Sequence, residues 1–386
     1  MIYAIKNNST EKIILLLVII GLLLPTSKNI FGYGEAYLWN YLILFIFLIK
    51  ILWNQKKIDL RNFNIAIFSM FLLLFFTLIS NATYFSWGAI INYILVFVML
   101  NLDIKEKKIN KRLFFSILNV INIVIIITNV LTILGNSFVK NMLIEYYSIG
   151  ESIVEKLIIW YNKPIFTFGS HSIASFFYYL FFSINLEIFK KTNKKLYFLY
   201  SILYLLIQFY LKSNSSIFFI LIIFFELSIF FYNKNKWILG IVICCFLFFL
   251  LYFKEIYYVL KLQDIIFSTS NGIIGRYSDV GVLAVNIEYL KNNIFRGIGF
   301  SYYDDLYYTD SGPIINTLRG TFLFSFLFYL NVYLFITRSF KNGLKSKKFF
   351  IIVFVFEFAY NILLYFRFLY FIPFYIVCMN SVDSDI

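Results

Sequence analysis

Charge is scarce in this chain. Only 14% of its 386 residues are Asp, Glu, Lys or Arg, while 61% are hydrophobic and the mean hydropathy is +0.81. A soluble domain of this length needs more charge and has no use for such long unbroken apolar runs, so a soluble enzyme or binding module is excluded. Cysteine is rarer still: Cys244, Cys245 and Cys378 lie in apolar segments, without the spacing of a disulfide framework or a metal site. There is a single histidine, His171, and there is no internal repeat, coiled-coil heptad or low-complexity tail. No small-residue cleavage site follows the apolar run that starts at Ile13. Pro25-Thr26-Ser27-Lys28 leads into more apolar sequence, so that run reads as a retained first span.

What is plentiful is apolar length. A bilayer is crossed by roughly 20 apolar residues. Runs of that order recur near 13–31, 36–53, 63–80, 84–101, 113–134, 170–189, 196–211, 216–232, 237–253, 312–336 and 349–366. The expected fold is all-α, a polytopic membrane protein of about eleven or twelve spans in one integral membrane domain over 1–386. The short apolar stretch 368–380 is either a twelfth, tilted span or a segment lying at the interface.

The formal net charge is +14, and the basic residues sit between the spans. Lys50, Lys56, Lys57 and Arg61 fill one gap, and Lys105, Lys107, Lys108, Lys111 and Arg112 another. Lys190, Lys191, Lys194 and Lys195 fill a third, followed by Lys234 and Lys236, then Arg338, Lys341, Lys345, Lys347 and Lys348. The gaps between these are short and nearly uncharged, or long and mixed in charge. That alternation is the positive-inside pattern, and it predicts a cytoplasmic N-terminus. It also predicts that two long loops, 135–169 and 254–311, lie on the outer side. Basic residues so arranged set topology and favour anionic lipid, which makes the bilayer a partner and gives no reason to expect nucleic acid.

In the first loop Met142, Tyr146, Ile149, Ile153, Leu157 and Trp160 recur at helical spacing, which predicts an amphipathic surface helix. In the second, acids outnumber bases, so its arginines are read singly. Arg276 precedes Ser278, a natural N-cap for the helical pattern through Val280, Leu283, Ile287 and Leu290. An arginine fork beside a helix N-terminus suits phosphate or diphosphate, and a salt bridge to Asp279 or Glu288 suits the same position. Arg296-Gly297-Ile298-Gly299-Phe300 permits a tight turn and close backbone approach, as does an ordinary helix cap. Asp304, Asp305 and Asp310 stand at the outer mouth of the tenth span, as general bases for a sugar hydroxyl or as solvated loop acids. Arg319 falls about two turns inside that span, where an arginine requires a polar cavity or a partner, and is read as functional. His171, at the outer start of the sixth span, is either a tolerated polar residue or an acid, base or phosphate ligand. Glu226, Glu357 and Asn361 are read as structural, the last two sharing a helix face.

Several of these stretches carry a resemblance. Gly275-Arg276-Tyr277, Asn293-Ile294-Phe295-Arg296-Gly297-Ile298-Gly299-Phe300, Thr309-Asp310-Ser311-Gly312 and Leu318-Arg319-Gly320 resemble the O-antigen and capsular polysaccharide polymerases of the Wzy type, which are related to the O-antigen ligases. Phe168-Gly169-Ser170-His171-Ser172 is similar to the start of that family's middle helix. Two departures stand out: Ile294 replaces a proline, and Lys212-Ser213-Asn214-Ser215-Ser216 lacks an arginine.

The resemblance implies a glycosyl transfer on the outer face of the bacterial cytoplasmic (inner) membrane, building lipopolysaccharide O-antigen or capsule. Donor and acceptor would both be glycans on undecaprenyl diphosphate, and a chain-length regulator would be a partner. Arg276, Arg296 and Arg319 would hold the diphosphate, Tyr277 and Ser311 the glycan, and His171, Asp304 or Asp310 would take the proton. No metal and no cofactor is implied. The rivals are a polysaccharide flippase or other transporter, expected to show repeats and broken helices, and an O-antigen ligase with the same layout. A polyprenyl-phosphate-sugar glycosyltransferase is disfavoured because Glu35 is the one acid in the first outer loop.

Overall fold

Runs that are apolar on every side fold as helices able to bury any face or to meet lipid with it. The computed structural model describes residues 2–26, 35–53, 55, 59–80, 84–105, 111–147, 153–232, 240, 243–244, 277–278, 281–308 and 310–383. These residues are almost entirely helical. In chain order the helices are α1 (Ile2–Leu23), α2 (Glu35–Trp53), α3 (Leu60–Ile79), α4 (Trp87–Leu100), α5 (Lys111–Ile133), α6 (Ser137–Tyr147) and α7 (Ile153–Ile159). There follow α8 (His171–Thr192), α9 (Lys195–Leu211), α10 (Asn214–Tyr232), α11 (Ala284–Asn292), α12 (Gly312–Ser339), α13 (Gly343–Glu357) and α14 (Phe366–Asp383). Two short strands, β1 (Tyr84–Phe85) and β2 (Ser301–Tyr302), pair antiparallel. Among the described residues, five helices are long and apolar enough to cross a membrane: α3, α5, α8, α10 and α12. The expected span near 237–253 falls almost wholly outside the described residues, as does Arg276.

The protein is an all-α, multi-pass membrane protein, and its outer surface says so. Along α3, Phe63, Ile67, Phe71, Leu74 and Leu78 are all exposed, an apolar face that water would not tolerate but lipid matches. By contrast α8 is buried almost all round, against α9, α10 and α14. Polar groups within this core pair across helices: Asn122 and Asn185 exchange amide hydrogen bonds of 2.9 and 3.1 Å, and Tyr204 donates to Asn122 at 3.0 Å. In an apolar surrounding such bonds fix helix register.

Hydrogen bonds sort the helix ends into two groups. At one end Arg338 pairs with Asp59 at 2.6 Å and donates to the carbonyls of Leu100 and Leu102, while Lys345 pairs with Glu187 and Asp383 at 2.8 and 2.7 Å. At the other end Thr26 N donates to Tyr146 O, Ser86 N to Phe300 O, and the Tyr365 hydroxyl to Phe168 O. Segments that the charge pattern groups together in sequence thus meet in space.

Four expectations are corrected. The stretch 349–366 is not one helix: α13 ends at Glu357, residues 358–365 form a turn with a short 3-10 segment, and α14 begins at Phe366. Asn361 therefore shares no helix face with Glu357. Stretch 368–380 belongs to α14, which is buried against α1, α2 and α8. Arg367 anchors it by donating to Gly21 O at 2.5 Å and Leu24 O at 3.0 Å, the free carbonyls at the end of α1. The amphipathic pattern of the first loop is a hairpin, since Lys140 Nζ lies 3.3 Å from Ile159 O. One straight helix would hold those residues about 28 Å apart. Finally, Ser278 is not the N-cap of α11, which starts at Ala284 with Leu283 before it; Ser278 O accepts from Gly281 N in a turn.

Candidate functional site

The site is organised by a break in α12. Gly320 (φ −138°, ψ 25°) and Thr321 (φ 65°, ψ −178°) leave helical geometry, so residues 312–319 form a short half-helix and the longer half follows. The break frees carbonyl groups that need donors. They are supplied by the glycine-bearing stretch 296–300: Ile298 N donates to Leu318 O at 3.0 Å and Gly299 N to Arg319 O at 2.7 Å. Gly297 is required for this approach, because a Cβ there would run into the Arg319 carbonyl. Gly299 has φ +58°, and a Cβ would strike Thr77 and the Leu73 carbonyl on α3, where Phe300 N donates to Thr77 Oγ1 at 2.8 Å.

Arg319 closes the first half-helix. Its Nη1 donates to Gly299 O at 2.7 Å, and its guanidinium lies 5.0 Å from the centre of the Tyr308 ring, a cation–π distance. It is 3% exposed. Among the described residues it forms no ion pair, and the pairs that do form lie at the opposite end of the bundle. Arg296, by contrast, is exposed and donates from Nη2 to Ile79 O at 3.0 Å, capping the C-terminus of α3.

Beside Arg319 runs a one-way chain of donors. The Tyr93 hydroxyl donates to Asn316 Oδ1 at 2.6 Å, and Asn316 Nδ2 to the Tyr329 oxygen at 3.2 Å. The Tyr329 hydroxyl then donates to Glu357 Oε2 at 2.9 Å, and Glu357 Oε1 accepts from Leu363 N at 2.7 Å. Asn316 and Arg319, three apart, share a face of the half-helix. Glu357 is fully buried, and Gly312 makes the room, since a Cβ there would fall on its carboxylate. This carboxylate is held by hydroxyl and backbone donors, with no cation paired to it among the described residues. At the mouth, the Tyr277 hydroxyl lies 2.8 Å from the Ser311 hydroxyl and donates to Phe358 O at 2.7 Å.

Of the residues singled out in the sequence, Arg296, Arg319, Tyr277 and Ser311 come to this end of the bundle around α12. Asp310 is half-buried directly before Ser311. Asp304 is not drawn in: it is exposed in the turn after β2. His171 opens α8, whose neighbours are α9, α10 and α14, whereas α12 packs on α3, α4, α11 and α13. The connection 358–365 lies between the two, bonded on one side to Phe168 and on the other to Tyr277. Tyr93, Asn316 and Tyr329 were missed because their meaning lies in contacts between helices; the available signal was Asn316 one turn before an intramembrane arginine. Among the described residues no group of three metal-ligating side chains converges. Comparison with protein-family models, with curated proteins and with solved structures finds no match.

Proposed function

We propose that the chain is a membrane glycosyltransferase that polymerises repeat units carried on undecaprenyl diphosphate, on the outer face of the bacterial cytoplasmic membrane, to build O-antigen or capsule. The observation that carries this reading is convergence. The stretches 296–300 and 318–320, which bear the resemblance and are separate in sequence, meet at the break in α12, and 311–312 opens the half-helix that leads to it. A second support is strain. Thr321 is β-branched at φ 65°, a conformation that persists only where its surroundings over-determine it and that clusters at functional sites.

In the proposed reaction an acceptor sugar hydroxyl attacks the anomeric carbon of the donor glycan. The bond from that carbon to the diphosphate breaks, undecaprenyl diphosphate leaves with the electron pair, and the hydroxyl proton passes to a base. Arg296, exposed and with spare donors, contacts the diphosphate together with Arg276. Arg319 acts from behind: a positive charge fixed in a medium of low dielectric stabilises charge growing on the leaving group without any reorganisation. Asp310, adjoining Ser311, is the favoured base; Asp304 is exposed in the turn after β2, and His171 opens α8, which packs on α9, α10 and α14. Tyr277 and Ser311 border the glycan.

The broken α12 and buried Glu357 also belong to the vocabulary of transporters, so a flippase is the second reading. One experiment separates them. A strain lacking the gene is complemented with the native chain, Arg319→Ala or Arg319→Lys, and surface glycan is resolved by length. Single repeat units at the surface of the deletion and Arg319→Ala strains support a polymerase. No surface glycan points to a flippase, and carrier-linked polymer accumulating inside the envelope points to a ligase. A reporter enzyme fused near Asn293 and active only in the cytosol would overturn the orientation on which the reading depends.

A further inference from the structure

The buried guanidinium of Arg319 is the inner end of an aromatic column that reaches the surface. Tyr308 lies over the guanidinium at 5.0 Å, and Tyr302 stacks on Tyr308 with ring centres 5.2 Å apart and planes 25° from parallel. Tyr302 is 40% exposed. Its partner across the strand pair is Tyr84, 66% exposed, and directly opposed residues project to one face of the pair. Between Tyr302 and Tyr308 the chain turns through Asp304 and Asp305, both exposed, and neither forms a hydrogen bond or ion pair with another described residue.

The platform is rigid. Asn286 on α11 clamps Tyr307 through two bonds, Nδ2 to Tyr307 O at 2.6 Å and Oδ1 from Tyr307 N at 2.9 Å. The Tyr308 hydroxyl accepts from Tyr303 N at 3.0 Å, closing the turn on itself. On the hidden side of β2, Ser301 meets Ser80 on the end of α3. A tyrosine face stacked on Tyr308 at a braced turn, with two exposed carboxylates a few residues along, suits a ligand that has an apolar face and a rim of hydroxyls. A pyranose is such a ligand. An aromatic belt resting in the bilayer interface is the other occupant of exposed tyrosines, but a pair of adjacent carboxylates is ill suited to an anionic head-group layer.

We propose that Tyr302 and Tyr84, with Asp304 and Asp305, form a sugar subsite that takes the pyranose next to the diphosphate, the ring stacking on Tyr302 and its hydroxyls donating to the two carboxylates. This inference rests on the proposed diphosphate-glycan function, which supplies the anion beside Arg319 and Arg296. It reassigns Asp304 from proton acceptor to sugar ligand.

The test uses the full chain in nanodiscs and two probes, undecaprenyl diphosphate and undecaprenyl-diphosphate-N-acetylglucosamine. The native chain should bind the sugar-bearing lipid about tenfold more tightly than the bare one, the scale of one aromatic contact. Tyr302→Ala should erase that preference and leave the affinity for bare lipid as it was, while Tyr302→Phe should keep the preference. A preference that survives Tyr302→Ala, or bare lipid bound as tightly as sugar-bearing lipid by the native chain, overturns the subsite alone. Equal loss of both lipids in Tyr302→Ala assigns the tyrosines to the bilayer interface and also overturns it. Failure of the native chain to bind either lipid overturns the diphosphate reading, and the subsite falls with it.

Discussion

Replacing Gly297 with alanine inserts one methyl group where the stretch 296–300 lies against the broken end of α12. An ideal Cβ at Gly297 would meet the Arg319 carbonyl carbon at 2.9 Å and Gly320 Cα at 3.0 Å, with the carbonyl oxygen nearer still. These are backbone atoms and cannot rotate aside, so the segment must retreat. Overpacking of this kind costs about 1–3 kcal/mol. Retreat also breaks the Ile298–Leu318 and Gly299–Arg319 hydrogen bonds, each worth about 0.5–1.5 kcal/mol. The expected destabilisation is therefore about 2–6 kcal/mol, with the seat of Arg319 lost as well, because Gly299 O holds its Nη1. Denaturant-induced unfolding of the purified chain in detergent micelles, with Gly343→Ala as control, reads the difference. Gly343 has open space around it at the start of α13, and alanine there should change stability by less than about 1 kcal/mol. A Gly297→Ala chain as stable as the control, still building full-length glycan, would refute the close approach and the convergence drawn from it.

Thr321→Gly should stabilise the fold by about 1 kcal/mol, since glycine adopts the φ of 65° without strain; a loss in the same unfolding assay would mean the threonine side chain is needed there. Glu357→Ala leaves the Tyr329 hydroxyl and Leu363 N–H without their acceptor, at about 1–3 kcal/mol for each unsatisfied donor. Glu357→Gln keeps an acceptor oxygen and should lose less, and equal losses would show that the carboxylate's hydrogen bonds are not what matters. Burial pushes the Asp59 carboxyl up, but the hydrogen bond and charge of Arg338 and the N–H groups of Arg61 and Asn62 outweigh it and hold the group below its ordinary value of 3.8. A depressed carboxyl stabilises the folded state above its unfolded pKa, and the contribution fades as pH falls from there through the folded value. Native chain and Asp59→Asn should therefore differ in unfolding midpoint at pH 7, and the difference should shrink as pH falls below 3.8, the native chain losing the more; midpoints that stay parallel would exclude the Asp59–Arg338 pair as the cause.

Much of the fold was legible because membrane helices are specified locally. Apolar runs gave α2, α3, α8, α9 and α10 close to their observed limits, and the lysine-rich gaps grouped the ends that meet through Arg338 and Lys345. The failures have one cause. Hydropathy measures whether a segment prefers lipid, not where its backbone turns. So 349–366 reads as a single span, although Glu357 draws the chain back by accepting from Leu363 N. For the same reason the hairpin of α6 and α7 reads as a single amphipathic helix. In the candidate site the glycines at 297 and 299 and the intramembrane Arg319 were visible as residues out of place in their surroundings. Their partners were not.

The sequence by itself determined the class of protein, an all-helical multi-pass chain, because composition and run length decide whether a segment can leave water. It also marked Arg319 as exceptional, because a charge in an apolar run calls for compensation wherever that run ends up. Only the tertiary structure decided what compensates it. The break in α12 survives because Ile298 and Gly299 arrive with the missing donors, and Arg319 is seated because Gly299 and Tyr308 stand beside it. Those contacts join residues that no local pattern relates, and the free energy of a buried polar group is set by the neighbours it meets in space.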